Sequence, residues 1–268
     1  MSVLWEDHPR VSLGPVAAIQ KGSGPLVLFL HGVGLRAEAF AAQIEACVAH
    51  GYNVLAPDML GHGHTSPCSV PTLADYTTPL LGLMDRPFVA VGHSMGAQMA
   101  IELAVRLPDL AAGVMALNGV YRRSESAVNA VTARAAMLDE KTTVDPRATL
   151  YRWFAQAQSP ERAACERWLR SMDPRAYKSA YTAFARSDGP SAESLQTLKC
   201  PALFLTGTEE PNSTPLMSEH MAAAAPCGTA QTIPGAAHMM PMTHADAVSA
   251  ALLTFLKACN FKGSKCTS

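Results

Sequence analysis

The sequence predicts an α/β protein, a doubly wound and mostly parallel sheet with a helical cap inserted after the sixth strand. Three observations lead there. Short, continuous apolar runs alternate with segments of helical periodicity through residues 1–120, the pattern of parallel strands buried on both faces and linked by helices. The strand signal then vanishes from 121 to 190 and returns between 191 and 268, so a helical stretch interrupts the sheet. Finally, a Gly-x-Ser-x-Gly motif, Gly92–Gly96, stands between an apolar run and a helical pattern.

Taken in order, Val11–Leu13 and Val16–Ile19 read as short strands. Pro25–Leu30 is an apolar run ending in His31-Gly32-Val33-Gly34, followed by an amphipathic segment, 37–50, stopped at Gly51. Asn53–Ala56 is the next strand and opens into PDMLGHGHTS at 57–66. A helix is expected over 72–84, with Pro79 inside it as a weak point. Phe88–Val91 then meets the Gly92–Gly96 motif, after which Met95, Met99, Ala100 and Leu103 recur at helical spacing. In a strand–turn–helix of this kind the glycines allow a sharp turn that lifts the Ser94 hydroxyl clear of the backbone. Gly113–Leu117 is a further strand.

Segment 121–190 differs in character, with 20 of the chain's 43 charged side chains and 8 of its 17 aromatics. Helical patterns cover 126–140, 146–156, 161–171 and 174–187, and Tyr177, Tyr181 and Phe184 form an i, i+4, i+7 stripe. Strands return at 202–206 and 230–233, and a last amphipathic helix spans 243–258. The expected organisation is a core of 1–120 and 191–268, with 121–190 capping it. Ligands bind such sheets beyond the carboxyl ends of the strands. His31, Asp58 and Ser94 all follow strand ends and should gather there.

At 268 residues and 49% apolar content, one large core is expected. A net charge of −1 offers no broad attraction to nucleic acid, and no apolar run approaches the roughly eighteen residues of a membrane span. The start, MSVLWEDHPR, does not read as a signal peptide. Seven cysteines at 47, 68, 165, 200, 227, 259 and 266 form no C-x-x-C pair. They read as reduced thiols in a cytoplasmic protein. His62 and His64 flank Gly63 without a third ligand at a defined spacing, so no metal or other cofactor is expected.

The pieces HGVG at 31–34, PDMLGHGHTS at 57–66, GHSMG at 92–96, PALFLTGTEEP at 201–211 and PGAAH at 234–238 resemble the α/β-hydrolase family in content and order. Within it, DPRAYKSAYTAFARSD at 173–188 with the strand at 201–206 is similar to the 3-oxoadipate enol-lactonase-like and small carboxylesterase branch. The resemblance implies Ser94 as nucleophile and His238, in PGAAH, as its general base; His244 is the nearby rival. It implies an acid three residues after Gly207, where Glu210 replaces the commoner aspartate, with Glu209 as the alternative. Some relatives carry the acid after the preceding strand, but Asn118-Gly119-Val120-Tyr121 has no carboxylate there. The oxyanion donors would be the N–H groups of Val33 and Met95, and Asp58 reads as a turn carboxylate bonding nearby amides. His31 and the cap aromatics Trp153, Phe154, Trp168, Tyr177 and Tyr181 are candidate substrate contacts. Equally, the aromatics can seal cap against core.

The resemblance implies hydrolysis of a small carboxylic ester or lactone through an acyl-serine. Alternatives are carbon–carbon hydrolysis of a dienoate ring-cleavage product and a ligand-sensing receptor on the same fold. Dehalogenase and epoxide hydrolase relatives carry Asp where Ser94 stands. The cap's twelve basic against eight acidic side chains leave the remainder at −5, an asymmetry that suits a carboxylate-bearing ligand or a solvated helical surface. The expected partner is a small molecule, with no nucleic acid or membrane; oligomeric state is not legible.

Overall fold

A computed structural model describes residues 5–67 and 72–261. Eight strands, β1 (Val11–Leu13), β2 (Val16–Gly22), β3 (Leu26–Leu30), β4 (Asn53–Pro57), β5 (Phe88–His93), β6 (Ala111–Leu117), β7 (Ala202–Gly207) and β8 (Gly228–Ile233), form one sheet. Their order is β1-β2-β4-β3-β5-β6-β7-β8. β1/β2 and β2/β4 pair antiparallel, and the other pairs are parallel. β3, β5, β6 and β7 are buried along their whole length, which is why their sequences are continuous apolar runs rather than alternating ones.

Helices pack on both faces. α1 (Ala41–Ala49), entered through a 3₁₀ turn at Ala37–Phe40, packs with α10 (Met240–Thr243) and α11 (Ala245–Ala258). α2 (Leu73–Leu81) packs on α3 (Met95–Arg106). α2 opens on a Thr72/Asp75 capping box and stops at Gly82, short of the expected Met84. Between β6 and β7 lie four helices, α4 (Glu125–Met137), α5 (Arg147–Phe154), α6 (Pro160–Ser171) and α7 (Pro174–Arg186), and the short α8 (Ala192–Gln196). Serine or aspartate side chains cap α4, α6 and α7, at Ser124, Ser159 and Asp173. α8 and α9 (Pro215–Ala224) were not expected: the first is barely a turn, and the alanine run of the second has no amphipathic period.

A buried ion cluster ties the N-terminal segment to the carboxyl end of β4. Arg10 bonds both oxygens of Glu38 at 2.7–2.8 Å and Asp58 at 2.9 Å, with both carboxylates fully buried. Asp58 also accepts the N–H groups of Ala37 and His64, both at 2.9 Å. The turn role read for Asp58 is therefore what is found, with Arg10 as a long-range partner that local sequence does not reveal. Cys47, Cys165, Cys200 and Cys259 are free thiols, whereas Cys227 is disulfide-bonded, which corrects the reduced reading at that residue. Cys68 and Cys266 lie outside the described residues. No helix among those residues is long and apolar enough to cross a membrane.

Candidate active site

Ser94 sits between β5 and α3 with φ 56° and ψ −114°, a region that non-glycine residues seldom occupy because the side chain crowds the carbonyl. Two neighbours make that turn possible. A Cβ at Gly92 would land on the carbonyl of Gly96, and one at Gly96 on the carbonyl of Leu30. The Ser94 N–H donates to the Leu117 carbonyl at 2.9 Å, pinning the turn to β6. Met95 is the first residue of α3, so its N–H belongs to the positive end of that helix.

Across the sheet edge, the segments after β7 and β8 bring a carboxylate to an imidazole. His238 Nδ1 donates to Glu210 Oε2 at 2.7 Å, with the Glu210 side chain fully buried. Glu210 Oε1 accepts the N–H groups of Asn212 at 2.7 Å and Ser213 at 3.3 Å. Burial alone would raise this carboxyl, but the charge and hydrogen bond of His238 and the two backbone donors outweigh it, holding the group near a pKa of about 2. Glu209 is exposed, its N–H bonded to the Ala236 carbonyl. His244 occupies the N-cap position of α11 without a side-chain capping bond, its Nδ1 instead bonded to Thr243 Oγ1 at 3.0 Å.

Ser94, His238, Gly32 and Val33 line one cavity of about 310 Å³, within the range of small-molecule sites. Its remaining wall comes largely from the helical segment: Trp153, Tyr177, Tyr181, Phe184 and three arginines, Arg123, Arg134 and Arg152. Trp153 stacks on the His238 ring, centroids 5.8 Å apart and planes 23° apart. Phe154 and Trp168 are not in this wall. Phe154 packs into the core, and Trp168 turns to Arg36, whose guanidinium lies 5.4 Å from its ring centroid. His31 is also absent from the wall. It is fully buried, donates from Nδ1 to the Gly32 carbonyl at 2.8 Å and accepts the Met59 N–H at Nε2. Both nitrogens thus hold the HGVG loop, and burial pushes the ring's pKa down. Its expected substrate contact is replaced by a structural role.

Two residues hold the His238 carbonyl from behind, a role the sequence assigned to neither. Asn118, at φ 48°, donates to the carbonyls of Ala237 and His238 at 3.2 and 2.8 Å and accepts the Gly207 N–H at 3.3 Å. It therefore ties together the strand ends that carry His238 and Glu210. His93 donates from Nε2 to the same His238 carbonyl at 2.7 Å, and its buried ring is pushed down to a pKa of about 3 by desolvation and then by the neighbouring His238. For Asn118 the available signal was the Asn118-Gly119 pair directly after a strand, since asparagine tolerates the positive φ of such a turn. Among the described residues no group of three or more His, Cys, Asp or Glu side chains is placed to hold a metal.

A model of the alpha/beta hydrolase family matches residues 27–251. The chain belongs to this family. As a family member it is 36% identical, over 89% of its own length and 92% of the relative's, to (E)-2-((N-methylformamido)methylene)succinate hydrolase of Acinetobacter baylyi. It is 28% identical to pimeloyl-[acyl-carrier protein] methyl ester esterase of Xanthomonas axonopodis pv. citri, over 88% of this chain and 96% of that one. Among solved structures, the enol-lactonase from Burkholderia xenovorans LB400 superposes with a TM-score of 0.78 at 25% identity, covering 93% of this chain and all of that one.

Proposed function

We propose that this chain is a serine hydrolase that cleaves a small carboxylic ester or lactone through an acyl-serine intermediate. The observation that carries the reading is the 2.7 Å bond from buried Glu210 to His238, whose ring lines the same cavity as Ser94. Ser94 attacks the acyl carbon while His238 Nε2 takes the hydroxyl proton, and Glu210 fixes the tautomer and stabilises the imidazolium. The oxyanion that forms is met by the N–H groups of Val33 and Met95. Collapse expels the alkoxide, which receives the proton from His238. Water then attacks the acyl-serine by the reverse proton path. Residues 121–190 act as the cap that selects the substrate, since they furnish most of the cavity wall.

A second reading is favoured by the relative from Acinetobacter baylyi. The compound in its name carries a formamide acyl carbon, and the same Ser94 chemistry extends from esters to such N-acyl groups, with an amine-type leaving group taking the proton. The test is turnover of p-nitrophenyl acetate by the parent and by Ser94→Ala. Loss of turnover in a folded Ser94→Ala protein is expected. A fully active variant overturns the mechanism, and a parent without any turnover favours the receptor alternative. A panel of esters, lactones, N-acyl enamines and dienoates then separates the substrate classes.

A further inference from the structure

The cavity wall has an unusual charge balance. Arg123, Arg134 and Arg152 line it together with Ser94 and His238, and among the described residues no aspartate or glutamate does. Arg134 donates from Nε to Tyr181 Oη at 3.0 Å, and Arg152 from Nη2 to Thr149 Oγ1 at 2.9 Å. Neither forms an ion pair among the described residues.

Arg123 is the most constrained of the three. Its side chain is only 5% exposed, lies over the Phe184 ring at 4.6 Å and donates from Nη1 to the Ser187 carbonyl at 2.6 Å. Its one carboxylate neighbour, Asp188, is half-exposed and stands off at 3.7 Å. Nη2 is buried and bonds no protein atom. A buried guanidinium with an idle donor is costly. Three cations around one low-dielectric cavity also repel one another, so an anion entering it is attracted by all three. The planar fork of arginine suits a carboxylate in particular.

We propose that Arg123, Arg134 and Arg152 form a carboxylate subsite, so that the acyl substrate cleaved at Ser94 carries a free carboxylate. This rests on the hydrolase reading above and names its substrate class. Arg123 is the anchor; Arg134 and Arg152 hold the anion from the α4 and α5 side.

The experiment compares kcat/KM for p-nitrophenyl hydrogen glutarate with that for p-nitrophenyl valerate, which has the same acyl chain length and no charge. The parent should prefer the charged ester by at least about tenfold, and Arg123→Gln should lower that ratio by about ten- to a hundredfold, as expected for a lost charge-assisted bond. Arg134→Gln and Arg152→Gln, whose side chains are only half-buried, should each lower it too and serve if Arg123→Gln fails to fold. Arg147→Gln, at an exposed side chain outside the cavity, should keep the parent ratio. A parent without preference, or arginine variants with the parent ratio, overturns the proposal. If neither ester is cleaved, the hydrolase reading has failed separately, and calorimetric titration with glutarate decides the subsite. Binding that weakens in Arg134→Gln supports it, and no binding to the parent overturns it.

Discussion

Glu210→Gln tests the proposed chemistry most sharply, because the surroundings dictate how the new amide must sit. Glu210 Oε1 accepts two backbone N–H groups, from Asn212 and Ser213. In the glutamine variant only the carbonyl oxygen can accept them, so the NH2 group is turned toward His238 Nδ1, 2.7 Å away in the parent. That nitrogen must then accept, which places the ring proton on Nε2, the atom that has to take the Ser94 proton. The imidazole is held in the wrong tautomer with its position almost unchanged. A kcat loss of about 10⁴-fold is expected, the size seen for the equivalent change in a serine protease triad, corresponding to about 5 kcal/mol of barrier. KM should move little. The assay is steady-state hydrolysis of p-nitrophenyl acetate, with a thermal melt run in parallel to show that the variant is folded. Glu209→Gln, at an exposed loop carboxylate, is the control and should stay within a few-fold of the parent. A Glu210→Gln protein retaining more than a tenth of the parent kcat, or an equal loss at Glu209→Gln, refutes the reasoning.

Three further outcomes are expected. Arg10→Met strands Asp58 as a buried charge without its cation and leaves Glu38 only Arg36, at 3.0 Å, which should cost about 3–5 kcal/mol and lower Tm by on the order of 10 °C; an unchanged melt would show that the cluster contributes nothing net. The pH dependence follows from the same group. Burial raises the Asp58 carboxyl, but the hydrogen bonds and charge of Arg10 more than offset this and hold it below its ordinary 3.8. As pH falls, the unfolded chain therefore binds this proton first, so the stability that Asp58 contributes is complete above about pH 5 and is lost as pH drops through the native pKa. Melts from pH 7 to pH 3 should show a shallower acid decline in Arg10→Met than in the parent. Asn118→Ala removes three bonds that tie the His238 and Glu210 segments and should lower kcat about tenfold with a smaller change in KM. Asn118→Gly, which tolerates φ 48° but lacks the same bonds, should show the same kcat loss; full activity in the glycine variant would assign the alanine effect to backbone strain alone.

The strands and most helices were legible because their determinants are local. A strand buried on both faces must be apolar throughout, and serine or aspartate before a helix satisfies N–H groups within its first turn. The Gly92–Gly96 turn was legible for the same reason: the atoms that forbid a Cβ at Gly92 belong to the turn itself. The same locality explains why the roles of aromatic residues were not settled. Trp153 and Phe154 are adjacent in sequence, yet one stacks on His238 while the other enters the core. Which face of a helix meets the site depends on how that helix docks, and both faces of α5 carry large side chains.

Sequence alone determined that Ser94, Glu210 and His238 each follow a strand in one parallel sheet, because connection order and burial are written in periodicity. Only the tertiary structure decided what surrounds them. Arg10 reaches Asp58 across 48 positions, Asn118 reaches the His238 carbonyl across 120, and Arg123 lies over the Phe184 ring with an idle donor. These depend on distances between segments remote in the chain, and a buried charge reveals its need for a partner only when the structure shows which partners are absent.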